Sequence, residues 1–410
     1  MWDRVLDAML GRLVRRGTLE THLPGGRVLR HGDGGAPRVT VRVANSSVMK
    51  AITRNPDLAV GEAYMDGTLT IDGDDLYGFL ELAIVNQPYT NKVWWQRPLR
   101  VAHRALRTVR QFNPTTRARA NVAHHYDLSG ALYDLFLDVD RQYSCAYFKS
   151  PSDTLEQAQA QKKAHIAGKL LLEPDMRVLD IGCGWGGMAL TLARDHGVRV
   201  LGVTLSEEQH KVATARARAA GLEDRVEFRL SDYRHVNETF DRIVSVGMFE
   251  HVGVPHYREY FRHVREKLTE DGVALIHTIG RSAPPSYTSP WIDTYIFPGG
   301  YCPALSEMSA AVEKEDLWAT DIEVWRLHYA ETLKHWHDRF TANIDKVREI
   351  YDDRFCRMWR YYLIASELTF RLGRQCVFQV QLSRKQDAVP LTRDYLHEHW
   401  QESRLDRAAE

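Results

Sequence analysis

The feature that most constrains the fold is the segment MRVLDIGCGWGG, residues 176–187, in which an apolar stretch runs directly into closely spaced glycines. The pattern predicts a buried β-strand, a tight turn and a helix that begins at Met188. Glycines let the backbone approach a ligand closely, and the N-terminus of the helix offers unpaired N–H groups. We therefore expect a ligand at this turn.

Strand and helix patterns alternate along the chain after about residue 120. Four more apolar segments, VRVLGVTLS, RVEFRLSD, FDRIVSVGMFEH and GVALIHTIG, are separated by predicted helices at 207–220 and 255–268. Beyond Gly280 we expect a proline-rich aromatic loop and then a largely helical region. Strand–helix alternation implies a parallel, doubly wound sheet, so the predicted fold class is α/β with a Rossmann-like catalytic domain.

The first part of the chain follows another pattern, of short strands and turns. A hairpin is predicted around residues 24–26, a strand in PRVTVRVAN, and a second turn at residues 66–67 before a further strand. A helix from Asp75 to Val85 closes this smaller α+β domain. The opening helix has an apolar face, which either packs on its own domain or contacts a membrane, formed by Trp2, Val5, Leu6, Met9, Leu10 and Leu13.

Residues 82–126 contain no acidic side chain, although the whole chain is balanced at 54 basic and 54 acidic residues. Helical spacing lets several arginines share one face near two tryptophans. Such a face suits an anionic lipid surface, to which each cation contributes about 1 kcal/mol of binding free energy. The alternative is a solvated linker between domains. Binding to nucleic acid is a third and weaker interpretation, because no recognition motif accompanies the charge. The residues concerned are Lys92, Trp94, Trp95, Arg97, Arg100, Arg104, Arg107, Arg110, Arg117 and Arg119.

These patterns divide the chain into an N-terminal α+β domain at 1–90, a basic linker at 91–120 and a catalytic domain at 121–410. No apolar run approaches the roughly 18 residues that span a bilayer, and the N-terminus lacks the features of a signal peptide. The five cysteines are odd in number and show no CxxC spacing, so neither a disulfide framework nor a metal site is indicated. The expected location is cytoplasmic.

Residues at the strand ends indicate which ligand the glycine turn binds. A nicotinamide site usually has an acidic residue at the end of the second strand, but that position here reads GVTLS. Asp180 stands just before the first glycine, and Thr204, Asp232 and Val246 stand at later strand ends. This arrangement favours S-adenosylmethionine over a dinucleotide and predicts a methyltransferase-type sheet.

Eight motifs resemble, in their order, those of the cyclopropane fatty acid synthase family. They read HHYDLSGALYDLFLD, YSCAYF, LDIGCGWGG, GVTLSEEQ, FDRIVSVGMFEHVG, HTIG, WIDTYIFPGG and HYAETL, and GEAYMDG extends the resemblance into the N-terminal domain. The resemblance implies that the N-terminal domain binds lipid and that the protein is a homodimer. It also implies a phospholipid membrane surface as the partner, without nucleic acid, and bicarbonate as the catalytic base.

The resemblance further implies site residues, carried over motif by motif. The bicarbonate pocket would be formed by Cys145, Glu250, His277, the backbone of Ile279, and Tyr329. Together with Asp180, the cofactor contacts would be Tyr143, Ser144, Gly182, Gly184, Thr204, Leu205, Gln209, Asp232, Tyr233 and Val246. The segment YCPAL after residues 298–300 departs from the pattern of the family, which leaves the product and the acyl-chain specificity open.

These residue types suit the chemistry of an isolated double bond, which no base can activate as a nucleophile. The alkene must be held in line with the sulfonium methyl, away from water. Methyl transfer leaves a carbocation, which a small anion can stabilise while it removes the proton whose loss closes the ring. His277 and Tyr329 can donate to such an anion and Glu250 can accept from its hydroxyl, whereas a carboxylate side chain alone is the rival base.

The predicted activity is S-adenosylmethionine-dependent transfer of a methylene unit to the cis double bond of phospholipid acyl chains, which forms cyclopropane fatty acids. A hydride shift followed by deprotonation or by reduction would instead give a methylene- or methyl-branched chain. N-methylation of a small amine is a second class of activity, since some such enzymes share these motifs. A non-catalytic lipid-binding protein is a third alternative, which the intact glycine turn opposes.

Overall fold

The computed structural model describes residues 1–87 and 130–396. Its strands are β1 (Thr18–His22), β2 (Val28–Gly32), β3 (Arg38–Val43), β4 (Leu69–Ile71), β5 (Arg177–Ile181), β6 (Arg199–Thr204), β7 (Val226–Leu230), β8 (Phe240–Val246), β9 (Leu268–Arg281), β10 (Trp318–Trp325) and β11 (Gln375–Ser383). Its helices are α1 (Trp2–Leu13), α2 (Ser46–Arg54), α3 (Pro56–Met65), α4 (Leu76–Val85), α5 (Gly130–Asp134), α6 (Leu155–Leu170), α7 (Gly187–His196), α8 (Glu207–Ala219), α9 (Tyr257–Lys267), α10 (Pro290–Tyr295), α11 (Leu305–Lys314), α12 (His328–Ala342), α13 (Ile344–Ile350) and α14 (Asp353–Arg371).

The described residues form two compact units. The N-terminal unit comprises residues 1–87, 286–298 and 329–374. The seven-stranded unit comprises residues 130–285, 299–328 and 375–396. Each unit is therefore assembled from segments that are far apart in the sequence.

The N-terminal unit contains a four-stranded sheet in the order β2-β1-β3-β4. Strand β1 pairs antiparallel with β2 and parallel with β3, which pairs antiparallel with β4. The predicted hairpin, the strand in PRVTVRVAN and the closing helix are thus confirmed. Helix α1 buries Leu6 and Met9 in the core of this unit, as expected for a helix that packs on its own domain. Val5 differs from the prediction, because 44% of it is exposed.

Helix α14 belongs to the N-terminal unit because its apolar face completes the core of that unit. Ile364 and Leu368 are buried in the same cluster as the residues of β1 to β4. The indole N–H of Trp291, on α10, donates to the sulfur of Met65 at 3.2 Å. The catalytic domain predicted at 121–410 therefore differs from the observed seven-stranded unit, which lacks residues 286–298 and 329–374.

The seven-stranded unit contains a sheet in the order β10-β11-β9-β8-β5-β6-β7. Strands β9, β8, β5, β6 and β7 are parallel, as the strand–helix alternation predicts. Apolar clusters cover the sheet and pack it against the helices. The chain leaves β5 toward β6 on one side and returns to β8 on the other, so the strand order reverses at β5. Ligands of open α/β sheets bind at such a switch point, beyond the carboxyl ends of the strands.

Two strands of this sheet were missing from the prediction. Strand β11 pairs antiparallel with both β9 and β10, in the region that was expected to be largely helical. The signal was present in QCVFQVQLS, where Phe378, Val380 and Leu382 alternate with polar residues. All nine residues of β11 except the first are buried, because the strand lies inside the sheet.

Within residues 1–87 and 130–396, no helix is both long enough and apolar enough to cross a membrane.

Candidate active site

A pocket lies at the carboxyl ends of β5, β6, β7 and β8, where the switch point predicts a ligand. Eight of the predicted cofactor residues line it, namely Gly182, Gly184, Thr204, Leu205, Gln209, Asp232, Tyr233 and Val246. The lining also includes residues that the sequence reasoning missed, namely Ile181, Val203, Ser231, Arg234, Gly247, Met248, His251, Val252 and His256. Most of these residues are adjacent in sequence to a predicted residue. Their positions at the strand ends could therefore have identified them from the sequence.

The turn after β5 requires glycine for two reasons. Gly182, Gly184 and Gly186 have φ angles of 81°, 54° and 84°, in the left-handed region that favours glycine. A Cβ atom on Gly182 would lie 2.9 Å from Cβ of Met248, and one on Gly186 would lie 2.7 Å from the ring of Phe228. The glycines thus allow a tight turn and close packing against the neighbouring elements.

Polar side chains at the next two strand ends are already held by internal hydrogen bonds. The hydroxyl of Thr204, at the end of β6, donates to Oε1 of Gln209 at 2.9 Å. Both carboxylate oxygens of Asp232 accept from the guanidinium of Arg234, at 2.9 and 2.7 Å. Burial opposes ionisation of Asp232, but the hydrogen bonds from Arg234 outweigh it and lower the pKa. Asp232 is therefore ionised and paired with Arg234 in the pocket wall.

Three predicted cofactor residues lie outside the pocket lining. Asp180 is buried within β5, and burial raises the pKa of its carboxyl to about 7, against the opposing charge of Lys162. Ser144 is buried, and its hydroxyl accepts from Lys162 at 2.7 Å. The ring of Tyr143 contacts the rings of Tyr133 and Phe136. Their assignment to the cofactor stays a prediction.

Glu250 and β9 form a buried polar cluster in the seven-stranded unit. Oε1 of Glu250 accepts from the backbone N–H of Ile279 at 2.6 Å. Oε2 of Glu250 is buried without a hydrogen-bond partner among the described residues. Burial raises the pKa of Glu250 to about 7, although the hydrogen bond from the Ile279 backbone acts in the opposite direction. Glu250 can therefore gain or lose a proton near neutrality.

His277 precedes Ile279 by two residues on β9, so both side chains point to the same face of the sheet. Nδ1 of His277 lies 3.1 Å from the amide nitrogen of Gln379. If Nδ1 accepts from that amide, Nε2 carries the hydrogen of the neutral ring. Nε2 has no hydrogen-bond partner within the described part of the chain. Burial, together with the positive charges of Lys162 and Lys169, holds the pKa of His277 well below its usual range. The imidazole is a neutral donor.

The remaining two predicted anion ligands differ in their placement. Cys145 is fully buried in the seven-stranded unit, and its thiol donates to the carbonyl of Ala146 at 3.3 Å. Tyr329 belongs to the N-terminal unit, in which its ring contacts the rings of Trp336 and Phe370. The structure thus brings Glu250 together with Ile279, on the strand that carries His277, while the role of Tyr329 stays a prediction.

The unpaired atoms of His277 and Glu250 have the donor and acceptor chemistry that a small oxyanion with a hydroxyl requires. Nε2 of His277 can donate to an anionic oxygen, and Oε2 of Glu250 can accept from the hydroxyl. Buried polar groups without partners are uncommon in folded proteins and call for an explanation. Bicarbonate has the required donor and acceptors, so the residues present are compatible with it.

The chain is similar to known proteins over most of its length. The family model of mycolic acid cyclopropane synthetase matches residues 113–380, and a domain of unknown function matches residues 6–91. The cyclopropane-fatty-acyl-phospholipid synthase of Escherichia coli K12 is 41% identical over 360 residues, which cover 86% of this chain and 89% of that protein. The tuberculostearic acid methyltransferase UfaA1 of Mycobacterium tuberculosis is 33% identical over 92% of this chain and 91% of its own.

A solved structure supports the same relationship. The mycolic acid cyclopropane synthase CmaA1, complexed with SAH and CTAB, superposes with a TM-score of 0.62 at 33% identity. The superposition covers 66% of this chain and 99% of that structure. The predicted methyltransferase fold is thereby confirmed. The chain belongs to the mycolic acid cyclopropane synthetase family.

Proposed function

We propose that the protein transfers a methylene unit from S-adenosylmethionine to the cis double bond of unsaturated phospholipid acyl chains and forms a cyclopropane ring. The observation that carries this proposal is the buried cluster of Glu250, Ile279 and His277, on elements that flank the cofactor pocket. The E. coli relative, named for this activity, matches across most of both chains, which supports the same assignment.

The pocket residues act by binding and orientation. The glycine turn and the ends of β6 to β8 would hold the cofactor, because they combine close backbone approach with the carboxylate of Asp232. Buried apolar neighbours exclude water, which would otherwise compete for the carbocation. An alkene carbon would gain a bond to the methyl as the sulfonium–methyl bond breaks and S-adenosylhomocysteine leaves, and loss of a proton from that methyl would then close the ring.

Glu250 and His277 would hold bicarbonate through their unpaired atoms, Oε2 and Nε2. When bound, bicarbonate supplies a small anion that can accept a proton in a site without water. His277 contributes as a neutral donor because burial disfavours its charged form. Glu250 contributes Oε2, while the Ile279 N–H holds the other oxygen, Oε1, and so fixes the orientation of the carboxyl group.

A methyl-branched product is the second candidate. It is favoured by the similarity to the tuberculostearic acid methyltransferase, which extends over 92% of this chain. The two products share the methyl transfer and diverge at the carbocation. The cluster of Glu250 and His277 favours the ring, because ring closure requires a base at that point.

We propose action at a membrane surface, with the basic residues of the linker binding anionic headgroups. Those arginines lie outside the described residues, so this part rests on the sequence pattern alone. The same holds for the homodimer, which we expect from the family resemblance.

The direct test supplies radiolabelled S-adenosylmethionine together with vesicles of monounsaturated phospholipid. We expect label in the acyl chains and a fatty acid that is heavier by one CH2 group, with no double bond. A small amine offered in place of the lipid serves as the control acceptor. Label in the amine, with none in the lipid, would contradict the proposal.

A further inference from the structure

Gln379 is a buried amide that contacts the histidine of the proposed anion site. It lies on β11, directly opposite His277 on β9 in the antiparallel register, so the two side chains share one face of the sheet. Both residues are fully buried. The amide nitrogen Nε2 of Gln379 lies 3.1 Å from Nδ1 of His277. One of the two ring nitrogens is therefore occupied by a side chain from the neighbouring strand.

The other contacts of the imidazole leave its hydrogen position to Gln379. The buried indole of Trp325 packs against His277 edge to face, with ring centroids 5.1 Å apart and an interplanar angle of 85°. This packing fixes the plane of the imidazole but makes no hydrogen bond with it. Among the described residues, Nε2 of His277 and Oε1 of Gln379 have no partner, so the amide is the one hydrogen-bond partner that the ring has there.

The orientation of the amide decides which nitrogen of a neutral imidazole carries the hydrogen. In the structure the NH2 group of Gln379 faces Nδ1, which leaves the hydrogen on Nε2 of His277. A carbonyl oxygen facing Nδ1 would instead hold the hydrogen there, and Nε2 would become an acceptor. Bicarbonate has one hydroxyl, so it could not serve two acceptors, Nε2 of His277 and Oε2 of Glu250. The donating amide is the orientation that suits the anion.

We propose that Gln379 is a positioning residue for the reaction: its amide donates to Nδ1 of His277 and so keeps the ring in the tautomer whose Nε2–H is available to the anion. The inference rests on the proposed function, because that function assigns the anion to His277. Gln379 is not among the residues that line the cofactor pocket, so its effect on turnover should not act through cofactor binding.

The first measurement is the tautomer itself, read by nitrogen-15 NMR of the histidine rings in protein saturated with S-adenosylhomocysteine. A ring nitrogen that carries a hydrogen is distinguished from one that does not, and the signals of His277 are those that His277→Asn lacks. We expect the wild type to carry the hydrogen on Nε2. Gln379→Glu keeps the size of the side chain but offers a carboxylate, which accepts a hydrogen bond, so the hydrogen should move to Nδ1.

The second measurement is the rate of product formation. With Nε2 unprotonated, Gln379→Glu should turn over more slowly by a factor of about 10 to 100, the range for partners that orient a working histidine. Gln381→Glu is the matched control, because Gln381 is equally buried on β11 but donates to the carbonyl of Lys169 and the hydroxyl of Tyr395. It should leave the tautomer of His277 unchanged, and its turnover measures the cost of a buried carboxylate on this strand.

The outcomes separate this inference from the proposed function. A wild-type ring with its hydrogen on Nδ1 would overturn the role of Gln379, and so would a folded Gln379→Glu in which turnover and the Nε2 hydrogen do not change together. Wild-type protein that has the Nε2 hydrogen but forms no ring product would contradict the proposed function instead. If Gln379→Glu does not fold, Gln379→Met takes its place. It removes the donor, so a ring that still keeps its hydrogen on Nε2 alone would contradict the inference.

Discussion

Glu250 is the residue on which the proposed chemistry depends most. It lies outside the lining of the cofactor pocket, and its carboxyl is oriented by the Ile279 N–H. We expect Glu250→Gln to reduce turnover by a factor of about 100 or more, the usual contribution of a group that supports proton transfer. Cofactor affinity, measured by calorimetry, should stay within a few-fold of the wild type.

Glu313→Gln, at an exposed position, controls for the chemistry of the substitution. Loss of cofactor binding in Glu250→Gln, with turnover falling only in proportion to occupancy, would show that Glu250 serves the cofactor instead.

The raised pKa of Glu250 also predicts a dependence of stability on pH. In the unfolded chain the carboxyl titrates near 4.5, and in the folded protein near 7, so the folded state binds more protons between these values. The wild type therefore loses stability relative to Glu250→Gln as the pH rises through this window. Between about pH 4 and pH 8 the stability of the variant should rise relative to that of the wild type by up to about 3 kcal/mol.

Urea unfolding at several pH values measures this difference, which should be constant below about pH 4.5 and should shift in favour of the variant above it. Asp180 and the buried histidines titrate in both proteins, so their effects cancel in the comparison. A difference that stays constant across the whole pH range would mean that the carboxyl of Glu250 ionises normally in the folded protein.

At the scale of elements, the glycine turn after β5 offers a matched pair of substitutions. Gly184 and Gly186 both have positive φ, but a Cβ on Gly184 meets no atom within 4 Å, whereas one on Gly186 meets Phe228 and Ala213. Gly186→Ala should therefore destabilise the fold by about 1–3 kcal/mol more than Gly184→Ala. Gly184 lines the pocket, so its substitution should weaken cofactor binding at a smaller cost in stability.

Thermal unfolding and calorimetric titration with S-adenosylhomocysteine measure the two effects separately. Equal losses of stability in the two variants would show that backbone strain, which they share, outweighs the contacts of Gly186.

The parallel strands and the N-terminal sheet could be predicted because each carries a local signal, either a continuous apolar run or alternation bounded by glycine turns. The glycine turn and the strand-end residues Thr204, Asp232 and Val246 followed from the same signals, since strand ends gather at one edge of a parallel sheet. Leu205, Gln209 and Tyr233 were instead implied by the family resemblance. Strand β11 was missed although its alternation is visible in the sequence. The packing of α14 into the N-terminal unit was not predictable, because the contacts of Ile364 and Leu368 join segments that are distant in the chain.

Lys162, which donates to Ser144, shows why buried polar contacts were harder to predict. It sits in a run of charged and amide residues, LEQAQAQKKAHI, that looks like a solvated helix face. Only the fold shows that Lys162 is buried while its neighbour Lys163 pairs with Asp140. Likewise, the sequence could name Glu250 and His277 by motif, but the unpaired atoms that suit an anion become visible only in three dimensions.

At the scale of the whole molecule, the basic linker predicts how the protein reaches its substrate. Neutralising Arg100, Arg104 and Arg107 together should weaken binding to anionic vesicles, because each cation near the surface contributes about 1 kcal/mol. Added salt should weaken binding of the wild type in the same way. Vesicle co-sedimentation measures both effects, with neutral vesicles as the control. Unchanged binding by the triple variant would assign the segment to a solvated linker.

Ring closure by proton removal can be followed with S-adenosylmethionine whose methyl group is fully deuterated. Incubation with monounsaturated phospholipid vesicles is followed by mass spectrometry and proton NMR of the released fatty acids. We predict a saturated cyclopropane product that keeps two of the three deuterium atoms, since one is lost from the transferred methyl when the ring closes. A methyl-branched chain that keeps all three would contradict the account, because its formation removes no proton from that methyl.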